Sequence, residues 1–528
     1  MMKKAIKKLL AALLAVAMVC AMAIPAFAYN PGETKEDLNT KHDYGAFQIF
    51  EGVISKDNET LSGVNWGQNI TEPDIFLANL KNDPTIGEKF ETAATAQDVL
   101  AVISKWHDSD DNSIAFARVV CHYLYPDANA NPTPVATDHT GGINIPKSGY
   151  YLIVDTSTFS DDDFYHAYNS FFLLNVPQTP YVVLVNHKVV KPTVEKEVYD
   201  NNDIGSTGGW GSSADHAINE PFQFRLIAKL PASENNGRAY DYYKEYAVCF
   251  TDTLSDGITF DKLDTVEITN GDGSTPQVIN NYTLDPNNPQ SSFKLSIDDV
   301  KTCVPDLNKG ATITVTYTAH LNEKAYVNTV GGGTDNKNSV YLEYSNNPRI
   351  STSLDHTTTS EVCVYTYQLN NTKHQDSENG PVLEGAGFRL YSNEACNAED
   401  EIKLKMNDDG TYSRDFSTEG KGVEMLSNKD GQFNVKGLDA GTYYLKETTP
   451  PTGYSACANK EIVISATHDV NHVDLSGNLS TTIINKKAGG ITLPSTGGIG
   501  TTIFYVVGGG LMVAAIVLLV TKKRMENK

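Results

Sequence analysis

The chain has 528 residues, too many for one ordinary domain, and its 65 acidic against 42 basic residues give a formal net charge of −23. Both termini are locally basic, so the middle is more acidic still, which excludes a nucleic-acid binder with its basic footprint. With 40% hydrophobic residues, 27 Tyr and 19 Phe, the chain can build real cores and is not a disordered acidic tail.

At the N-terminus four lysines precede an apolar run from Leu9 to Ile24, and Ala26-Phe27-Ala28 supplies a small-x-small pattern. Charge, apolar stretch and small residues in that order predict a secretory signal peptide over 1–28, cleaved after Ala28. Residues 29–187 mix strand-like pieces (Ala46–Phe50, Tyr150–Asp155, Ser170–Val176) with helical patterning around Ala93–Trp106 and Ile114–Tyr125. Residues 188–350 alternate apolar and polar side chains, as in Thr312–His320 and Ser339–Ser345. Residues 351–487 do the same, with Gly-rich turns at Glu384–Gly387 and Gly437–Gly441. Short, regularly punctuated strands predict a mainly β chain of tandem immunoglobulin-like β-sandwich domains, the N-terminal one with helical insertions.

Residues 488–500 form a linker that contains Leu493-Pro494-Ser495-Thr496-Gly497. An apolar stretch from Ile503 to Val520 and a basic cluster, Lys522-Lys523-Arg524, follow it. The stretch predicts a bilayer span over 501–521, with the basic residues of 522–528 holding the tail inside. The three features in this order resemble the cell-wall sorting signal of Gram-positive surface proteins. The resemblance implies that a sortase cysteine attacks the Thr496–Gly497 bond and passes the Thr496 carboxyl to an amine. The membrane would then hold only the precursor.

The third part reads Thr366-Tyr367-Gln368-Leu369, Thr372-Lys373 and Leu383-Glu384-Gly385-Ala386-Gly387-Phe388-Arg389-Leu390-Tyr391. It continues with Gly441-Thr442-Tyr443-Tyr444-Leu445-Lys446-Glu447-Thr448, then Pro451-Thr452-Gly453-Tyr454, and closes on Thr482-Ile483-Ile484-Asn485. This is similar to the collagen-adhesin B-type domain of Gram-positive fimbrial proteins. The second part resembles the preceding domain of the same pilins through Lys191-Pro192-Thr193-Val194-Glu195-Lys196, Thr251-Asp252-Thr253-Leu254 and Val340 to Pro348.

In that family each such domain is stapled by a Lys–Asn isopeptide bond assisted by an Asp or Glu. The resemblance implies Lys196–Asn346 assisted by Asp252, and Lys373–Asn485 assisted by Glu447. The chemistry demands burial, because a lysine amine in water is a cation and cannot attack an amide. Among apolar side chains the neutral amine becomes a nucleophile, and a carboxyl kept protonated polarises the amide and relays protons. Strand alternation lets these residues face inward. Val194, Lys196 and Val198 share a face, as do Val248, Phe250 and Asp252, and Val340, Leu342, Tyr344 and Asn346. Tyr443, Leu445 and Glu447 align, and so do Ile483 and Asn485, whereas Lys373 shares its face with both Leu369 and Asn371. In the first part Asp155 ends a Gly-Tyr-Tyr-Leu segment like that of the third, but finds no Lys and Asn to pair with.

Polymerising pilins resemble one another in a Tyr-Pro-Lys-Asn motif before the second domain, whose Lys accepts the next subunit's Thr. Lys188 stands at that place within Val185-Asn186-His187-Lys188, without the Tyr, Pro or Asn, and Lys191 is the alternative acceptor. Six cysteines remain beyond Cys20, an even count that permits disulfides in a secreted chain. They are scattered and read mostly as small buried apolar residues. CxxC and HExxH are absent, so spacing supports no metal site, and no cofactor or enzyme motif is expected. The resemblance implies a secreted, sortase-processed pilin subunit attached to other subunits or peptidoglycan. Its alternative is a monomeric wall-linked adhesin that binds a host protein or glycan.

Overall fold

The computed structural model describes residues 42–54, 61–107, 110–138, 142–158, 167–168, 170–176, 181–184, 191–202, 208–233, 237–288, 292–328, 336–417, 421–477, 479–489 and 499–525. The leader, Lys188 and the Leu493–Gly497 motif lie outside these residues. In the first domain, β1 (Tyr44–Ile54), β2 (Leu61–Trp66), β3 (Gly149–Asp155) and β4 (Phe172–Val176) form an antiparallel sheet in the order β2-β1-β3-β4. Between β2 and β3 the chain inserts α1 (Pro73–Asn82), α2 (Ala96–Ile103) and α3 (Asp111–Leu124). In α3 the buried Ile114, Ala117, Cys121 and Leu124 follow the helical period, which turns one face to the core. Thr95 and Asp98 close a capping box at the start of α2. Helix α1 was not expected. Its signal was Pro73 at the first helical position, followed by the buried Phe76, Leu77 and Leu80.

The second domain is a sandwich of two sheets. One runs β9 (Ile258–Asn270), β11 (Ala311–Leu321), β7 (Pro221–Leu230), β5 (Thr193–Asp200), with a short strand at each edge. The other runs β6 (Ser213–Asp215), β13 (Ser360–Tyr365), β12 (Lys337–Ser345), β8 (Val248–Leu254), β10 (Ser292–Ile297). Every second residue of β11 is buried, from Ala311 through Tyr317 to Leu321, so the sequence alternation maps directly onto the inner face. Strand β13 differs from the sequence expectation. It falls after the boundary expected at 350, yet it pairs with β6 and β12 of the second domain.

In the third domain β14 (Tyr367–Gln375) lies between β16 (Val435–Leu438) and β20 (Ser480–Asn485). Opposite it, β15 (Gly387–Tyr391), β17 (Gly441–Thr449), β18 (Lys460–His468) and β19 (Val473–Gly477) pair in order. The first and last strands, β14 and β20, are parallel neighbours. Phe388 and Phe433 stack at 4.2 Å in the core between the sheets. The chain is thus mainly β, in tandem immunoglobulin-like sandwiches. Helix α4 spans Ile499–Met525, with its side chains described over 507–523. Among the described residues no helix is long and apolar enough to cross a membrane.

Candidate functional site

The third domain brings together all three residues singled out from its sequence. Lys373 projects from β14, Asn485 from the end of β20 and Glu447 from β17 in the facing sheet, each with a fully buried side chain or residue. Lys373 Nζ donates to Asn485 Oδ1 at 2.5 Å and lies 3.7 Å from Glu447 Oε1. Asn485 Nδ2 in turn donates to Glu447 Oε1 at 2.7 Å, and the Cys457 N–H holds Glu447 Oε2 at 2.8 Å. The register explains the meeting: Lys373 lies opposite Ile483 and Gln375 opposite Asn485, one inward step further along. Burial pulls the Lys373 amine below the ordinary lysine range, while the Glu447 charge opposes the shift. Asn371, which had blurred the inward face of β14, is also buried and is satisfied by Phe433 O at 3.0 Å and the Thr481 hydroxyl at 2.5 Å.

The second domain departs from the expected trio. Lys196 on β5 and Asp252 on β8 face each other across the sandwich as a fully buried, directly hydrogen-bonded pair. Beside them stands Asn338, not Asn346. Lys196 Nζ donates to the Tyr317 hydroxyl at 3.0 Å, and Asn338 Nδ2 donates to the same oxygen at 2.6 Å. The Tyr317 hydroxyl also reaches Asp252 Oδ1 at 3.3 Å. Asp252 lies opposite Val340 and Leu254 opposite Asn338, so Asn338 is one inward step from the acid. Asn346 is three inward steps the other way, roughly 20 Å along an extended strand. Its side chain accepts from Ser353 Oγ at 2.8 Å, and its carbonyl accepts the Tyr168 N–H of the first domain at 2.8 Å. Alternation had given the right face but not the position along it, because Asn338 and Asn346 share parity. Tyr317 was also missed, although it lies on the inward face of a segment whose alternation was noted.

Burial in this centre works against the charged form of both partners. Burial lowers the Lys196 amine to about 8, against the pull of Asp252, and raises the Asp252 carboxyl despite Lys196. The Phe224 and Tyr317 rings flank the amine at 5.2 and 5.3 Å from their centroids. A chain that keeps Lys196 unlinked, such as Asn338→Ala, should therefore gain stability as pH rises from 8 toward about 9.5. In that window the unfolded lysine still binds a proton that the folded one has released, so the unfolded state binds more protons. Denaturant melts across this range check it, and a flat or falling stability would contradict the lowered amine.

In the first domain the buried Asp155 accepts from Ser157 Oγ at 2.5 Å and pairs with His42 Nδ1 at 2.6 Å. Among the described residues no two cysteines are joined in a disulfide, and four of the six are buried. Lys191 is described and exposed, just ahead of β5.

Residues 369–478 match the SpaA prealbumin-like fold domain family, and residues 485–527 match the LPXTG cell wall anchor motif. The anchor motif attaches the chain to the cell wall at the extracellular surface. No curated protein matches the chain. Among solved structures, the full-length major pilin SpaD from Corynebacterium diphtheriae is 19% identical, with a TM-score of 0.42 over 85% of this chain and 93% of that one. The full-length major pilin RrgB from Streptococcus pneumoniae is 15% identical, with a TM-score of 0.40 over 90% and 98%. A C-terminal fragment of a major pilin from Streptococcus agalactiae is 21% identical, with a TM-score of 0.40 over 56% and 99%.

Proposed function

We propose that this wall-anchored chain is a pilus subunit whose second and third domains close autocatalytic isopeptide bonds, Lys196–Asn338 and Lys373–Asn485. The observation that carries the reading is the Lys373–Glu447–Asn485 group, buried between the first and last strands of a domain just ahead of the wall anchor motif. The neutral Lys373 Nζ attacks Asn485 Cγ, a C–N bond forms, the Cγ–Nδ2 bond breaks, and Nδ2 leaves as ammonia. Glu447, already hydrogen-bonded to Nδ2, relays the proton that the amine loses to the departing nitrogen. In the second domain Asp252 takes that part, with the Tyr317 hydroxyl holding amine and amide together. Each chain reacts once per domain, so this is maturation and not enzymatic turnover. A covalent tie between strands survives reductant, which suits a thin fibre under tension.

Sorting completes the reading: a sortase cleaves Thr496–Gly497 and joins Thr496 to Lys188 or Lys191 of the next subunit, or to peptidoglycan. A soluble fragment that retains Leu493–Gly497 should be cut between Thr496 and Gly497 by a cognate sortase and joined to an added amine. Cell-wall extracts test assembly. A pilus subunit gives an SDS-resistant ladder, with Thr496 joined to a lysine between 185 and 191. A single wall-linked band without that junction would replace the polymer with a monomeric adhesin.

A further inference from the structure

Where the second and third domains meet, Asp200 at the end of β5, Asp215 on β6 and His468 at the end of β18 converge. Their potential ligand atoms all lie within 4.8 Å of one another. Both aspartates are fully buried, and the His468 side chain is only 5% exposed. Asp215 is the telling member: neither of its carboxylate oxygens meets an N–H or O–H donor in its ordinary protonation state. A buried carboxylate in that condition is costly and demands a counter-charge. His468 is held in place by Ser213 Oγ on Nδ1 at 2.9 Å, which turns Nε2 toward Asp200 Oδ2 at 3.6 Å. That distance falls within the roughly 3.3–3.6 Å between two ligand atoms on one tetrahedral ion with bonds of roughly 2.0–2.2 Å.

We propose that Asp200, Asp215 and His468 form a divalent-metal site, of the Zn²⁺ class that accepts imidazole and carboxylate together, and that the ion bridges the second and third domains. Imidazole nitrogen mixed with carboxylate oxygen suits such an ion better than Ca²⁺ or Mg²⁺, which favour all-oxygen shells. The residues are far apart in sequence, which is why no ligand spacing announced the site. The surrounding interface is already polar and close. Asn202 Nδ2 donates to Asp439 Oδ2 at 2.9 Å, Asn219 Nδ2 to Arg414 O at 3.0 Å, and the Tyr365 hydroxyl to Asp469 O at 2.7 Å. An ion held from both sides would fix the angle between two successive domains, whether or not either domain is crosslinked. A competing arrangement neutralises the cluster with a proton. The buried carboxyl of Asp439, raised well above its usual range by burial and by Asp215, could donate to Asp215 as the neutral acid.

Equilibrium dialysis of the full mature chain against Zn²⁺ separates the two. The expected result is one ion per chain, retained in excess Ca²⁺ and Mg²⁺. Asp215→Asn and His468→Ala should each weaken binding by more than the roughly 10–100-fold that outer-shell changes cost. His472→Ala, at an exposed histidine nearby, should leave it unchanged. Substitution with Co²⁺ guards against misfolded variants, since it reads the wild-type site directly. A ligand-field spectrum without thiolate charge transfer is expected. No stoichiometric ion on the wild-type chain would leave the protonated Asp439 in possession and overturn the proposal. So would a thiolate band, or an ion kept by both ligand variants.

Discussion

In the Glu447→Ala chain, Lys373 and Asn485 are expected to remain separate side chains, restoring one ammonia mass to the protein. Two effects then act on the third domain. The lost crosslink ties residues 112 positions apart, and by analogy with a disulfide its entropic stabilisation approaches about 4–5 kcal/mol. The substitution also strips the Cys457 N–H and the Asn485 amide of their shared acceptor and leaves a buried lysine without its carboxylate. The melting temperature of the domain should fall on the order of 20 °C. Intact mass and calorimetry on one preparation check both parts. A variant that still lacks the ammonia would show that Glu447 takes no part in the condensation.

The second large effect separates Asn338 from Asn346. Asn338→Ala should abolish the second-domain crosslink, restore one ammonia mass and destabilise that domain by about 4–5 kcal/mol, because the loop closed is roughly 140 residues. Asn346→Ala should keep the crosslink. Its cost should be that of lost side-chain hydrogen bonds such as the one from Ser353, about 1 kcal/mol each. Fragment masses after proteolysis decide the matter, since a crosslinked pair yields one branched peptide joining Lys196 to its partner. A branch at Asn346 would reverse the assignment.

Several strands are legible in the sequence alone, because two-residue alternation is a local signal. Tyr443, Leu445 and Glu447 on β17, and every buried residue of β11, follow from it directly. Motif order along the chain pointed to Lys373, Glu447 and Asn485, which the fold brings side by side, since a short domain with motifs at its first and last strands leaves little freedom. Asn338 was hidden for a different reason. Parity admits every second residue of β12, and only the pairing of β12 with β8 says which of them lies beside Asp252. Register is a long-range property, set by turns and packing that the local pattern does not encode. The domain boundary slipped for the same reason, because β13 looks like any other strand until its partners β6 and β12 are known. The cluster of Asp200, Asp215 and His468 is the extreme case, assembled by the docking of two domains.

The intact mass of the mature wild-type chain, measured under reducing and denaturing conditions, bears on the whole reading at once. Two condensations should make it lighter than its sequence by two ammonia masses, with branched peptides joining Lys196 to Asn338 and Lys373 to Asn485. A mass equal to that of the sequence would contradict covalent stapling in both domains.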